Sequence, residues 1–235
     1  YGQDFEETKR LAEQGDAKSQ VRLGLKLMKG DGIPRDFREA GRWLRLAADQ
    51  GYANGQYNLG LMLERGDGTP MNYSESVKWY QLAAKQGHIA SQNNLGLLLS
   101  NGKGVPKNDV EAVKWFRLAA EQGGSSAQMN LGKQYLFGEG VPKNLTEAIR
   151  LFQLAAEQGN KEGQYALGNM YYEGIGVPQS YLQAYVWFKV AANKGVEYAK
   201  NNKDVTYEKL SRYNRIRGAW LARKCITSDY KDCGV

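Results

Sequence analysis

His88, the only histidine, and Cys225 and Cys233, the only cysteines, are the side chains of this 235-residue chain whose types best suit nucleophilic or metal chemistry. One imidazole can act as the base of a Ser-His-Asp triad. That chemistry needs a nucleophile raised on a sharp strand-to-helix turn, and no Gly-x-Ser-x-Gly elbow accompanies His88. A zinc ion needs three or four ligands gathered together, which one histidine and two distant cysteines do not supply. Gly-rich loops such as Gly102-Lys103-Gly104-Val105-Pro106 resemble phosphate cradles only superficially, because none carries the Gly-Lys-Ser/Thr ending that holds a phosphate. Carboxylates are plentiful, and nothing pairs two of them as acid and base. No residue is therefore expected to be catalytic or to bind a metal, and no cofactor is expected. Cys225 and Cys233 have two readings: a disulfide pinning the tail, or two free thiols at a frayed end. The even count and short intervening loop favour the bridge, which implies an oxidising compartment.

What positions these residues is a repeat. Gly24, Gly60, Gly96, Gly132 and Gly168 recur every 36 residues, each after a Leu. All five prolines (Pro34, Pro70, Pro106, Pro142, Pro178) share that step, each closing a Gly-x-Gly-x-Pro loop. Ala-Ala pairs follow at 47–48, 83–84, 119–120, 155–156 and 191–192. A first helix, helix A, is expected over about 17–29 in the first unit, stopped by Gly30 and Gly32, which take left-handed φ at little cost, and by the proline. A second, helix B, starts at Asp36, Asn72, Asn108, Asn144 or Ser180, all good N-caps. Glu39, Glu75, Glu111, Glu147 and Gln183 stand three residues on, as in a capping box.

Apolar residues at steps of three and four give each helix one buried stripe: Ala40, Trp43, Leu44, Ala47 and Ala48 in helix B, Leu23 and Leu27 in helix A. A helix pair cannot bury its stripe alone, so neighbouring pairs must stack. In this frame His88 falls in a B-to-A turn where Asp16, Tyr52, Gly124 and Asn160 stand elsewhere, and it reads as an exposed turn residue. Asn58, Asn94 and Asn130, each just before a Leu-Gly pair, read as amides bonding a neighbouring helix or loop, with a peptide-backbone clamp as the other reading. Sequons at Asn72 and Asn144 are explained by capping.

Composition agrees with a folded chain: 42% hydrophobic, 24% charged, and no apolar run long enough to span a membrane. Of the net charge of +7, residues 196–235 carry nine Lys/Arg against five Asp/Glu, so the repeat body is nearly balanced. That distribution lacks the basic stripe of a nucleic-acid binder and fits a basic end that steers an acidic protein partner. Residues 1–15 are expected to form an N-terminal capping helix, 16–195 five repeats (16–51, 52–87, 88–123, 124–159, 160–195), and 196–235 a C-terminal capping helix and tail. The last helix is expected over about 207–226, capped by Thr206, with Leu210, Tyr213, Trp220 and Leu221 on its apolar face and Ser228, Asp229 and Gly234 turning the chain back. A signal peptide or lipid anchor ahead of Tyr1 stays open.

The pattern A-x-x-Q-Y-x-L-G, G-x-G-V-P, A-x-x-W-[YF]-x-x-A-A-x-x-G resembles the Sel1-like repeat, a relative of tetratricopeptide repeats. Gln56-Tyr57-Asn58-Leu59-Gly60 and Ala112-Val113-Lys114-Trp115-Phe116 carry the resemblance most cleanly. It implies an all-α, right-handed α/α superhelical solenoid of about five 36-residue repeats, whose A helices line a concave surface that binds another protein. The concave positions are then Val21, Leu25 and Met28; Tyr57, Leu61 and Glu64; Asn93, Leu97 and Ser100; Met129, Lys133 and Leu136; and Tyr165, Asn169 and Tyr172. Lys133 and Asn169 replace the Leu of earlier units, and the tyrosines offer aromatic anchors. Family uses include signalling and host-interaction adaptors, which leaves a cytoplasmic location open, and periplasmic immunity proteins that neutralise secreted, phospholipase-like effectors of type VI secretion. The immunity role, in a periplasmic or secreted setting, is the specific expectation. An enzyme acting on the cell wall or a β-lactam is the remote one, implied by cysteine-rich relatives. Those relatives bridge the same C-x7-C spacing inside their repeats; here it lies outside them.

Overall fold

A computed structural model of the chain describes residues 2–30, 33–231 and 233, and side chains from residue 5 onward. Gly32 and Gly234, expected at turns, lie outside the described residues. Those residues hold thirteen α-helices and no strand. α1 (Gly2–Glu13) leads into five helix pairs: α2 (Ala17–Lys29) with α3 (Phe37–Asp49), α4 (Ala53–Arg65) with α5 (Tyr73–Lys85), α6 (Ile89–Asn101) with α7 (Asp109–Glu121), α8 (Ser125–Phe137) with α9 (Leu145–Glu157), and α10 (Lys161–Glu173) with α11 (Tyr181–Asn193). Then come α12 (Glu197–Glu208) and α13 (Arg212–Thr227). The chain divides into two compact units, residues 1–122 and 123–235.

The local chemistry is the expected one. Every helix B is capped by its Asp, Asn or Ser side chain, which accepts the N–H three residues on, as Asn108 does from Glu111 at 3.0 Å. Helix A of the third pair ends at Gly102 (φ 64°), and Gly104 (φ 74°) then brings the loop so close to Tyr73 that an added β-carbon would lie 2.4 Å from its backbone carbon. In the first unit Leu44, Ala47, Ala48, Leu59, Met62 and Leu63 form one core cluster. In the second, Phe152, Leu167, Met170, Val186 and Trp187 do the same. Fully burying one such ring or Leu is worth about 1.5–3 kcal/mol.

Two packing devices join the helices. Where helix A crosses helix B, the glycine of the Leu-Gly pair receives the facing side chain: an added β-carbon at Gly60 would stand 2.8 Å from the Tyr80 ring, at Gly96 2.6 Å from Phe116, and at Gly132 2.6 Å from Phe152. The second device is a set of buried glutamines. Gln20, Gln56 and Gln92 each donate to an alanine carbonyl at the end of the preceding helix (Ala12, Ala48, Ala84; 3.2, 3.4 and 3.1 Å). Each accepts, at 2.8 Å, from the glutamine that ends the following helix B (Gln50, Gln86, Gln122). One amide thus adds a second bond to a helix-end carbonyl that already accepts a backbone N–H, and it ties three helices together. In the second unit Gln158 reaches Gln128 in the same way. At the last pair Lys194 replaces the outer glutamine; it bonds the Gly159 carbonyl at 2.7 Å, and the Gln164 Oε1 is left without a partner.

The C-terminal end differs from expectation. It holds two helices, because the 36-residue step that starts α10 at Lys161 also starts α12 at Glu197, with no Gly-x-Gly-x-Pro loop to mark its end. Thr206 is no cap: it lies buried within α12 and donates to the Asn202 carbonyl, and Ser211 caps α13. Leu210 and Leu221 are buried as expected, whereas Tyr213 and Trp220 face solvent. Cys225 and Cys233 form a disulfide that joins the second unit's core, with Tyr230 packed beside it under the Lys194 ammonium.

The glutamine ladder yields a graded prediction. Gln92→Met keeps the volume and removes both bonds, and it should lower the unfolding free energy by about 1–3 kcal/mol. Gln164→Met, which removes only the bond to the Ala156 carbonyl, should cost visibly less. Urea unfolding followed by circular dichroism checks the ranking, and equal losses would contradict it.

Candidate protein-binding surface

Helix A spends its inner face on the Leu-Gly packing, which leaves its outward positions to meet solvent or a partner. In the first unit these positions divide. Val21 and Asn93 are buried, and Val21 belongs to the core. Leu25, Met28, Leu61 and Ser100 are half-buried, and Leu97 is exposed. Tyr57 is sandwiched: its ring centroid lies 4.8 Å from His88 and 6.0 Å from Tyr80. Glu64 accepts the Tyr80 hydroxyl at 2.7 Å, and that hydroxyl accepts from Asn94 at 3.2 Å. Burial, helped by the Glu64 carboxylate, pushes the Tyr80 phenol well above its usual pKa, so it stays a donor. Asn58 donates to the Asn54 carbonyl at 2.7 Å. Asn94 therefore bonds a neighbouring helix, as the favoured reading has it, whereas Asn58 bonds a carbonyl of its own helix.

His88 is more than an exposed turn residue. It is half-buried and caps α6: Nδ1 accepts the Ser91 N–H at 3.2 Å and lies 2.9 Å from Ser91 Oγ. An accepting Nδ1 puts the proton on Nε2, which donates to Asn54 Oδ1 at 3.0 Å. Burial disfavours the imidazolium and lowers the pKa below its ordinary value. Nδ1 thus caps α6, and Nε2 ties that cap to α4.

In the second unit Met129 is a core residue, so it offers no free surface; the reason is that its helix turns that position toward the helix pair. Leu136 is half-buried beside the same core, and Lys133 is exposed. Tyr165 packs against Phe188 (5.5 Å) and Tyr198 (4.4 Å), and its hydroxyl accepts from Asn202 at 3.1 Å. Asn169 accepts from the same amide at 3.5 Å. Tyr172 meets Tyr181 and lies 5.8 Å from the Lys209 ammonium. α12, which the sequence reading did not place, thus covers much of the last expected stretch. Two side chains that reading missed are more available. Phe137, 66% exposed, stands where the other pairs carry Lys29, Arg65, Asn101 and Glu173. Tyr198 is also exposed, at a position where Glu162 and Ser126 precede it by 36 and 72 residues. The signal for both was a departure from the repeat's own polarity. Among the described residues no group of three or more His, Cys, Asp or Glu is placed to hold a metal ion.

The profile of the Sel1 repeat matches residues 17–52, 53–88, 89–124, 125–160 and 161–196. Among solved structures, a protective antigen of uropathogenic Escherichia coli displaying an SLR fold is 35% identical with a TM-score of 0.82. The match covers 98% of this chain and 49% of that one, so the chain spans about half that relative's length. A Sel1 repeat protein from Oxalobacter formigenes is 34% identical with a TM-score of 0.79, over 89% of this chain and 86% of that one. An immunity protein from Pseudomonas aeruginosa shares the fold at 16% identity and a TM-score of 0.55, over 91% and 82%. No curated protein matches the chain in sequence.

The His88 geometry predicts a pH dependence. With the folded pKa depressed, the unfolded chain takes the proton first as pH falls. The cap's contribution is therefore complete above the unfolded value of about 6.5 and is lost as pH drops through the folded one. His88→Asn keeps an N-cap of the kind Asn160 provides. Its Tm should fall less than that of the parent between about pH 7.5 and 5.5; parallel falls would contradict the assignment.

Proposed function

The chain belongs to the Sel1 repeat family, and from that premise we propose that it is a non-catalytic scaffold that binds another protein through the outward positions of its A helices. The observation that carries this reading is Phe137, an aromatic ring left in solvent where every other pair has a polar residue, one helical turn from the exposed Lys133. Exposing that ring has a free-energy cost that a partner would relieve, and an aromatic beside a cation is a common make-up for an interface anchor. Leu97 in the first unit and Tyr198 in the second extend the exposed set. The expected residues Tyr57, Glu64, Tyr165, Asn169 and Tyr172 are less available to a partner, because their rings and polar atoms already have partners within the chain.

The specific form of the proposal is an immunity protein that neutralises a secreted, phospholipase-like effector in an oxidising compartment such as the periplasm. Its support is the fold shared with the Pseudomonas immunity protein and the Cys225–Cys233 disulfide. No helix among the described residues is long and apolar enough to cross a membrane.

A photo-crosslinking amino acid at position 137, in cells expressing the protein, should give one discrete adduct. Lys133→Glu should abolish it, and the same probe at the exposed helix B position Lys114 should give none. Equal labelling at both positions, or none at either, would contradict the binding surface. If the adduct is a secreted hydrolase inhibited by equimolar protein, the immunity form stands; a non-enzymatic partner removes it. Thiol trapping in the same cells should find both cysteines oxidised, and reduced thiols would count against the compartment.

A further inference from the structure

α13 carries Arg212, Arg215, Arg217, Arg223 and Lys224 and no acidic residue. Its buried side, Gly218, Leu221, Ala222 and Cys225, packs into the second unit. The opposite side sets Tyr213, Ile216 and Trp220 at steps of three and four, 72%, 68% and 57% exposed, with the arginines 212, 217 and 223 exposed around them. A solvent-facing apolar ridge on a helix end is unusual unless something covers it.

Beside Ile216 lies a depression of about 470 Å³ between α11, α12 and α13. Lys189, Lys203 and Arg215 line it against the single carboxylate of Asp204. The cations are held in place. Arg215 Nε donates to the Tyr207 and Leu210 carbonyls at 3.2 and 3.1 Å, and its guanidinium lies 4.5 Å from the Tyr207 ring centroid. Lys189 lies 3.3 Å from the Tyr185 hydroxyl. Lys203 pairs with Asp204 at 2.9 Å, a contact open enough to solvent to be exchanged cheaply for another carboxylate. Glu208, at 3.5 Å from Arg215, is the other acid near it.

We propose that this end of the second unit is a docking site for an acidic protein segment, with a carboxylate seated among Lys189, Lys203 and Arg215 and an adjoining apolar side chain laid over Ile216 and Trp220. Charge complementarity selects the occupant: three cations against one carboxylate line an open depression, roomy enough for a carboxylate on a short tether and its neighbouring residue. Tyr, Trp and Arg together are also the residues most enriched in protein interfaces. The site is separate from the helix A positions, so its failure leaves the scaffold reading intact.

The probe is a fluorescein-labelled, capped peptide of repeated Glu-Glu-Leu, with its Gln-Gln-Leu twin as control, read by anisotropy on the full chain. The acidic peptide should bind saturably at low salt, weaken strongly by about 300 mM salt, and lose about tenfold in affinity on Lys203→Glu and on Ile216→Glu. Both substitutions sit outside the core, and circular dichroism confirms that each variant is folded. The Gln twin should bind far more weakly, and phosphatidylglycerol vesicles should not co-sediment the protein. No saturable binding, equal binding of the twin, indifference to both variants, or vesicle binding without peptide binding would each overturn the proposal, the last in favour of a lipid-facing surface.

Discussion

At Gly60, Gly96, Gly132 and Gly168 the facing ring of Tyr80, Phe116, Phe152 or Phe188 occupies the space where a β-carbon would otherwise stand, within 2.5–2.8 Å of it. Real β-carbons do not approach buried rings so closely, and these rings have nowhere to go, since each is almost fully buried. The two helices of a pair therefore meet at a distance set by a missing side chain. The Ala-Ala pairs one turn further on keep the approach close, and the apolar stripes are consumed inside the pair and its neighbours. What each A helix has left is its outward side, and the availability of that side follows from how completely the inner one is used.

The glutamine ladder turns pairs into a stack. A buried amide has to find partners or carry a desolvation penalty, and here it finds them on the helix before and the helix after. Stacking register is thus written in polar chemistry as well as in volume. The same arithmetic explains why the array changes at its end. Lys194 stands where a glutamine would continue the ladder; it bonds the Gly159 carbonyl, as Gln86 bonds Gly51, but leaves the Gln164 Oε1 unpaired and lies over the Tyr230 ring. The tail, closed by the Cys225–Cys233 disulfide, comes back to cover it. Beyond that point α13 presents cations and aromatics to solvent.

Much of this was legible in the residues themselves. The caps at Asp36, Asn72, Asn108, Asn144 and Ser180 and the glycine stops identify the helices almost to the residue, because capping and left-handed φ are local demands that few residue types meet. The surface was less legible. Tyr57 and Tyr165 have the composition of binding anchors, yet each is clasped by rings from neighbouring helices. Position within a repeat says which way a side chain points, not what the next helix sets against it. His88 was hidden for a related reason: its role depends on Asn54, one repeat away. α12 was not placed, and α13 was expected to start at about 207, because no glycine-proline punctuation marks where one ends and the other begins; the break at Leu210 and Ser211 comes from burial of the leucine and capping by the serine.

The close approach of ring to glycine is tested most directly by the sign of one stability change. In a helix interior, alanine is favoured over glycine by roughly 0.8–1 kcal/mol. At Gly41, whose nearest neighbour is the flexible end of Met62 at 3.1 Å, Gly41→Ala should realise that gain and raise the melting temperature. At Gly96, against the Phe116 ring, overpacking costs of about 1–3 kcal/mol should outweigh it, and Gly96→Ala should melt lower than the parent. A Gly96→Ala protein as stable as the parent, or more so, would mean that the missing β-carbon does not set the helix spacing.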